Sequence, residues 1–154
     1  MHVSDIMTTN VITVREESAV EAAARLLARH RISGLPVVDR SGTLIGVVTE
    51  YDLIAKKGTT VADIMTRGVI SVSPETDVDE VAHLLASRRV RRVPVVAGGR
   101  LVGIVSQSDL VQQMALRWVC MTCGEVVRGE AAPENCPRCG APDPFSREAP
   151  PPGA

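Results

Sequence analysis

Most of this chain is written twice, and no other feature limits its fold as strongly. Asp5-Ile6-Met7-Thr8 recurs as Asp63-Ile64-Met65-Thr66, 58 positions later. At the same offset Val20 falls on Val78, Leu26 on Leu84, and Leu35-Pro36-Val37-Val38 on Val93-Pro94-Val95-Val96. One residue then drops out of a turn. At an offset of 57, Gly46-Val47-Val48-Thr49 and Asp52-Leu53 fall on Gly103-Ile104-Val105-Ser106 and Asp109-Leu110. A residue lost between two strands leaves the faces of both unchanged. A half this short buries too little surface to be secure alone, so the copies are expected to pack on each other and to duplicate their pockets at the seam.

Each copy reads strand, helix, strand, strand, helix. Val11 to Val14 is a short β-branched run. Ser18 opens a helix with Glu21 three residues on, the spacing of a capping box. Ala22, Ala23, Leu26 and Leu27 give that helix its apolar stripe. Leu35 to Val38 and Leu44 to Val48 read as buried strands joined by Asp39-Arg40-Ser41-Gly42. Thr49 to Lys56 is the second helix. In the second copy the elements are Val69 to Val72, a helix capped by Thr76 with Asp79, the strands Val93 to Val96 and Leu101 to Val105 around Gly98-Gly99, and a closing helix from Ser106 toward Arg117. The expected class is therefore α+β, two βαββα repeats in a pseudo-twofold pair. The repeats occupy 1–58 and 59–117, a cysteine-bearing segment 118–147, and a proline-rich tail, expected to be disordered, 148–154.

Net charge is −1, so no global field draws nucleic acid or a membrane. Aromatic residues make up 2% of the chain, too few for a base-stacking platform, and the core must be aliphatic. No apolar run approaches the roughly 20 residues that span a bilayer. The N-terminus lacks a basic region followed by an apolar stretch, so a cytoplasmic protein is expected. His2, His30 and His83 stand in no recognisable arrangement with Cys or Ser, and the adjacent carboxylates fall at helix starts, where the dipole accounts for them. No catalysis is expected.

Two segments carry polar chemistry at matching places. Gly46-Val-Val-Thr49-Glu-Tyr-Asp52 and Gly103-Ile-Val-Ser106-Gln-Ser-Asp109 each lie where a buried strand hands over to a helix. One reading makes Thr49 and Ser106 helix caps, with Asp52 and Asp109 in the first turn. The other makes each corner a polar nook, whose N–H groups face a phosphate and whose carboxylate accepts ribose hydroxyls. Arg91 and Arg92 precede one Pro-Val strand where the first copy has Ser33 and Gly34. They are either a solvated basic patch or a phosphate clamp, for which the planar guanidinium fork is suited.

Together the Asp-Ile-Met-Thr openings, the Leu-Pro-Val-Val and Val-Pro-Val-Val strands, and the two Gly-x-x-(Thr/Ser)-x-x-Asp corners resemble a tandem pair of cystathionine-β-synthase-type (CBS) domains, a Bateman module. The resemblance covers roughly residues 1 to 114. It implies two units packed through their sheets, a homodimer formed through helices, and clefts between the repeats for an adenosine-type ligand: AMP, ADP, ATP or S-adenosylmethionine. In that picture Thr49 and Asp52 serve one cleft, and Ser106 and Asp109 the other. Arg91 and Arg92 match positions that contact phosphates, and Ile12 and Ile70, or their neighbours, flank the adenine by position. The implied role is a non-enzymatic sensor, with an unidentified protein partner.

Cys120-x-x-Cys123, twelve residues, then Cys136-x-x-Cys139 is the spacing of a metal site. Gly124 and Gly140 follow the pairs, where a tight knuckle needs backbone freedom. About 30 residues cannot bury a sufficient core, and bound zinc supplies roughly 10–16 kcal/mol in comparable peptides. Cys-Pro-Arg-Cys-Gly-Ala-Pro, with Trp118 and Phe145, resembles a zinc ribbon and more narrowly a rubredoxin-like one. Rubredoxin-like proteins place an aromatic soon after the first knuckle, where Glu125-Val126-Val127 stand here. Structural zinc is the expectation, iron its alternative, with electron transfer or redox sensing as the matching alternative function. Only Arg128, Arg138 and Arg147 are basic in this segment, against Glu125, Glu130, Glu134, Asp143 and, just beyond it, Glu148, which argues against nucleic acid.

Overall fold

The computed structural model describes residues 1–147; the proline-rich tail lies outside the described residues. Two compact units divide the chain, one over Met1–Gln107 and the other from Ser108 onward.

In the first unit, helix α1 (Val20–His30) precedes a hairpin of β1 (Gly34–Val38) and β2 (Leu44–Thr49), which runs into α2 (Glu50–Ala55). A one-turn helix, α3 (Val61–Ile64), opens the second copy, which continues through α4 (Val78–Arg88), β3 (Arg92–Ala97) and β4 (Arg100–Ser106). Both hairpins are antiparallel. Their tips pair with each other: Leu44 N–H donates to the Gly99 carbonyl at 3.3 Å and Leu101 N–H to the Gly42 carbonyl at 3.0 Å. Leu35, Val37, Val48, Val93, Val95 and Val105 are fully buried, as the apolar strand runs predict.

The opening strand of each copy is shorter than expected. Val14 alone bridges β1, its N–H donating to Pro36 and its carbonyl accepting from Val38. Val72 does the same between Pro94 and Val96. The next rung of a parallel ladder needs an N–H from Pro36 or Pro94, and proline has none. The proline that marks each motif thus cuts its neighbour strand to one residue.

The helix starts also differ. Ala19, not Ser18, is the N-cap of α1, and Asp77, not Thr76, is that of α4, with Asp77 Oδ1 accepting from Asp79 N–H at 2.8 Å. A tertiary pairing overrides the local signal in both. The Ser18 carbonyl accepts from Val61 N–H at 2.8 Å and Thr59 from Val20 N–H at 3.0 Å, which holds the chain extended through Ala19. Likewise the Thr76 carbonyl accepts from Val3 N–H at 2.9 Å and Met1 from Val78 N–H at 3.0 Å.

These pairings reveal an exchange. Thr8 bridges Ile104 of the second copy, while Thr66 bridges Val47 of the first. Val61, Ile64 and Met65 belong to the core formed by Val14, Ala23, Leu27, Leu35, Val37 and Val48. Each copy is completed by the opening segment of the other. The Asp of each opening motif is a capping residue: Asp63 Oδ2 accepts from the N–H groups of Thr59 and Thr60 at 3.0 Å, and Asp5 from His2 N–H at 2.9 Å.

The second unit opens with helix α5 (Gln107–Ala115), whose first residue closes the first unit. It continues into a three-stranded sheet of β5 (Arg117–Cys120), β6 (Val126–Arg128) and β7 (Phe145–Ser146), with β5 central. Arg147 lies over the Trp118 ring, 4.5 Å from its centroid, and donates to the Ala115 carbonyl at the end of α5 at 2.9 Å. Gly129 N–H donates to Leu116 at 2.9 Å, and Arg128 to Gln113 Oε1 at 3.2 Å. The sheet is thereby tied to the helix that precedes it. No helix among the described residues is long and apolar enough to cross a membrane.

Candidate functional site

The Thr49 corner forms because β2 ends in a hydroxyl followed three residues later by a carboxylate. Thr49 caps α2, accepting from Asp52 N–H at 3.3 Å, while Asp52 Oδ2 accepts from Thr49 N–H at 2.9 Å and its hydroxyl at 3.1 Å. Asp52 Oδ1 accepts from Lys56 Nζ at 2.8 Å and from the Thr66 hydroxyl at 3.4 Å. Lys56 Nζ also donates to the Ile64 carbonyl at 3.2 Å. At 2% exposure Asp52 is buried, and both of its carboxylate oxygens have donors. Burial pushes its carboxyl up, but the Lys56 ammonium and the Thr49 donors outweigh this and hold it below the usual carboxylate value. Lys56 lies outside the sequence motifs, and Thr66 enters them only as the end of Asp63-Ile64-Met65-Thr66, not as a site residue. The i,i+4 spacing of Asp52 and Lys56 is a signal for the first; nothing local points to Thr66.

Ser106 ends β4 and Asp109 lies in the first turn of α5; both are half-buried, and both have partners. Arg92 pairs with Ser106 across its hairpin, as Gly34 does with Thr49. Its guanidinium crosses between the copies, donating to the Gly34 carbonyl at 3.4 Å and closely to the Ser33 hydroxyl. Arg92 therefore reaches the counterparts of Arg91 and of itself in the other repeat, and brings Thr49 and Ser106 to the same end of the seam. The Arg91 side chain is exposed, its carbonyl holding Gln107 N–H at 2.9 Å.

The exchanged segments bring the adenine-flanking candidates alongside the strands. Pairing of Thr66 with Val47 sets the Ile70 stretch beside β2. There a cleft of about 280 Å³ opens between the copies, walled by Leu44, Ile45, Gly46, Val69, Ser71 and Val96. Its wall is made by the neighbours of Ile70, which is itself 36% exposed. Ile12 instead packs against the core of the first copy. Gly46 is required by close approach: a Cβ there would lie 2.7 Å from the Thr66 carbonyl oxygen.

The four cysteines converge in the second unit. Their sulfurs all lie within 4.8 Å of one another, with Cys120–Cys139 at 3.8 Å and Cys123–Cys136 at 3.6 Å. Thiolates holding one ion tetrahedrally at about 2.3 Å sit about 3.8 Å apart, so the donor set fits a single metal. Two like knuckles build it. Gly124 N–H donates to Cys120 at 2.8 Å and Gly140 N–H to Cys136 at 2.9 Å, each glycine in the left-handed region at φ 76° and 73°. No disulfide links them. Burial raises the Cys120 thiol, but the N–H groups of Cys123 and Thr122 and the adjoining thiols outweigh it and set it at about 6. The Glu125 N–H lowers Cys123, but burial and the three other thiols push it up to about 12. One thiolate among thiols is what crowded sulfurs adopt before a cation compensates their charge.

Comparison with known proteins agrees with both parts of this geometry. The CBS domain family matches residues 3–57 and 61–116, and the rubrerythrin, rubredoxin-like domain family matches 118–145. Inosine-5'-monophosphate dehydrogenase of Thermoplasma acidophilum is 38% identical over 108 residues, 69% of this chain but 22% of the enzyme. The chain thus spans about a fifth of that relative's length. The structure of CBSX2 in complex with AMP aligns with a TM-score of 0.70 at 36% identity, covering 72% of this chain and 93% of that one. The CBS domain pair of MJ0100, in complex with 5-methylthioadenosine and S-adenosyl-L-methionine, aligns at 0.67 and 35% identity, covering 73% and 94%.

Proposed function

The chain belongs to the family of proteins built on paired CBS domains, and from that premise we propose that it is a non-enzymatic regulatory module binding an adenosine-type ligand between its repeats. The hydroxyl-and-carboxylate corner, written once in each repeat, carries this reading. It is supported by relatives crystallised with AMP and with S-adenosyl-L-methionine. The dehydrogenase activity of the longer relative is not carried over, because the match is confined to about a fifth of it.

In this reading Asp109 accepts the ribose hydroxyls, and Ser106 and Arg91 meet the phosphate or its replacement. With no aromatic side chain beside the strands, adenine is held by aliphatic walls and backbone groups. Binding shifts the balance between two arrangements only by its difference in affinity for them, typically 1–3 kcal/mol in such proteins. The four thiolates hold structural zinc, and the ribbon presents the change to a protein partner. Tyr51 and Ile54, 71% and 86% exposed on α2, supply part of a homodimer face.

Isothermal titration with AMP, ADP, ATP and S-adenosylmethionine tests the reading. Saturable binding of at least one, weakened tenfold or more by Asp109→Ala, is expected; no binding of any rejects it. The rubredoxin-like match also favours a second reading, an iron ribbon that exchanges electrons. Metal analysis of natively produced protein separates the two, since ferric tetrathiolate is red and zinc colourless.

A further inference from the structure

The ends of α1 and α4 carry more positive charge than the helices themselves call for. Arg29 lies in the last turn of α1 and Arg88 in that of α4, where the helix dipole favours a cation. Arg31 and Arg89 follow as the C-cap residues, and Arg91 stands just beyond. All five residues are exposed. Residues 22–38 and 81–107 contain no Asp or Glu, so nothing within either segment offsets the charge. Among the described residues none of the five forms an ion pair. Arg31 and Arg89 also sit in the left-handed region, at φ 52° and 53°. Glycine is the residue this position favours, and arginine there costs backbone free energy in both copies. A departure made twice argues for a use of the side chain.

The two clusters meet at the seam of the first unit. Arg92 reaches from one segment to the other, donating to the Gly34 carbonyl at 3.4 Å and closely to the Ser33 hydroxyl. Arg31 stands just before Ser33, and Arg89 just before Arg92. Hydrogen bonds fix both segments. Glu50 N–H donates to the Ser33 carbonyl at 3.0 Å, Gln107 N–H to that of Arg91 at 2.9 Å, and Gln107 Nε2 to that of Val90 at 3.1 Å. Glu50, the one acid in this network, forms no ion pair either. The result is a pre-formed cationic surface on a chain of net charge −1. Guanidinium groups gathered without counter-charges repel one another, and an anion of several charges relieves that repulsion.

We propose that this surface docks an acidic segment of a protein partner, whose carboxylates are taken by the arginine forks of both repeats. Nucleic acid, the competing polyanion, is disfavoured because neither segment holds an aromatic residue for a base and the chain as a whole is not cationic. The proposal does not rest on the nucleotide-binding reading. Arg91, which that reading uses, is kept in both variants below so that the two are tested apart.

The test is fluorescence anisotropy of the metal-loaded full chain with a labelled oligoglutamate peptide, beside a labelled single-stranded RNA of the same charge. Saturable peptide binding at about 150 mM salt is expected, tightening as salt is lowered. Arg31→Gly with Arg89→Gly is expected to weaken it about tenfold or more, while the urea midpoint holds or rises because glycine suits the left-handed cap. Arg29→Gln with Arg88→Gln, at ordinary helical backbone, is expected to weaken it by a similar factor. No peptide binding at about 150 mM salt, where a generic charge effect is screened, overturns the proposal. Binding unchanged in both variants overturns it as well. RNA held more tightly than the peptide overturns the protein partner in favour of nucleic acid.

Discussion

Asp52 is the one buried charged residue in the described chain, and its environment makes an acid prediction. Its folded carboxyl titrates below the unfolded one. Its contribution to stability is therefore complete above the ordinary carboxylate value of about 3.9 and is lost as pH falls through the depressed folded value. Urea melts between pH 6 and pH 3 should show the drop, and Lys56→Met should shrink it. Lys56 is 40% exposed, so its removal is expected to cost about 1–2 kcal/mol, less than a fully buried pair would. Glycine gives a second contrast. Gly46→Ala drives a Cβ against the Thr66 backbone carbonyl, whereas Gly103→Ala meets chiefly the flexible end of Met7. Both are expected to destabilise, Gly46→Ala by about 2–3 kcal/mol and Gly103→Ala by less, measured as shifts in urea midpoint. Residues such as Gly46 were legible as motif members, but the partner that demands them was not, because it arrives from the opening segment of the other copy.

Among elements, what the sequence announces locally is what the structure keeps. The hairpins follow from apolar runs around turn residues, and the knuckles from Cys-x-x-Cys with a glycine after it. What fails is whatever a distant strand can override. Ser18 and Thr76 carry good capping chemistry, yet the carbonyls of both are taken by the opposite copy, so each helix starts later. The single turn Val61–Ile64 runs into the Asp-Ile-Met-Thr motif that opens the second copy, where no helix was expected. The exchange also predicts where the second copy is weak. Val3 is fully buried although it lies near the chain terminus. Val3→Ala is expected to cost about 2 kcal/mol. Deleting residues 1–8 should lower protection from amide exchange in α4, β3 and β4 more than in α1, β1 and β2.

For the whole molecule, the two units differ in what holds them. The first has an aliphatic core; the second depends on four sulfurs. Trp118, the sole tryptophan, lies in the second unit, so its fluorescence reports on that unit alone. Chelation, or Cys120→Ser with Cys136→Ser, is expected to change Trp118 emission and open 117–147 to protease while the melting of the paired repeats persists. Metal affinity should fall throughout the descent from pH 8 to 5, since the ion must displace the Cys123 proton at every point, and more steeply below about 6, where Cys120 takes up a proton too. A competition assay with a coloured chelator across pH 5 to 8 measures this. The interlacing of the repeats has a consequence of another kind. A lone copy has no sister to lend it the stretch that seals its core. A single copy made on its own is therefore expected to close only by trading its opening segment with a second molecule.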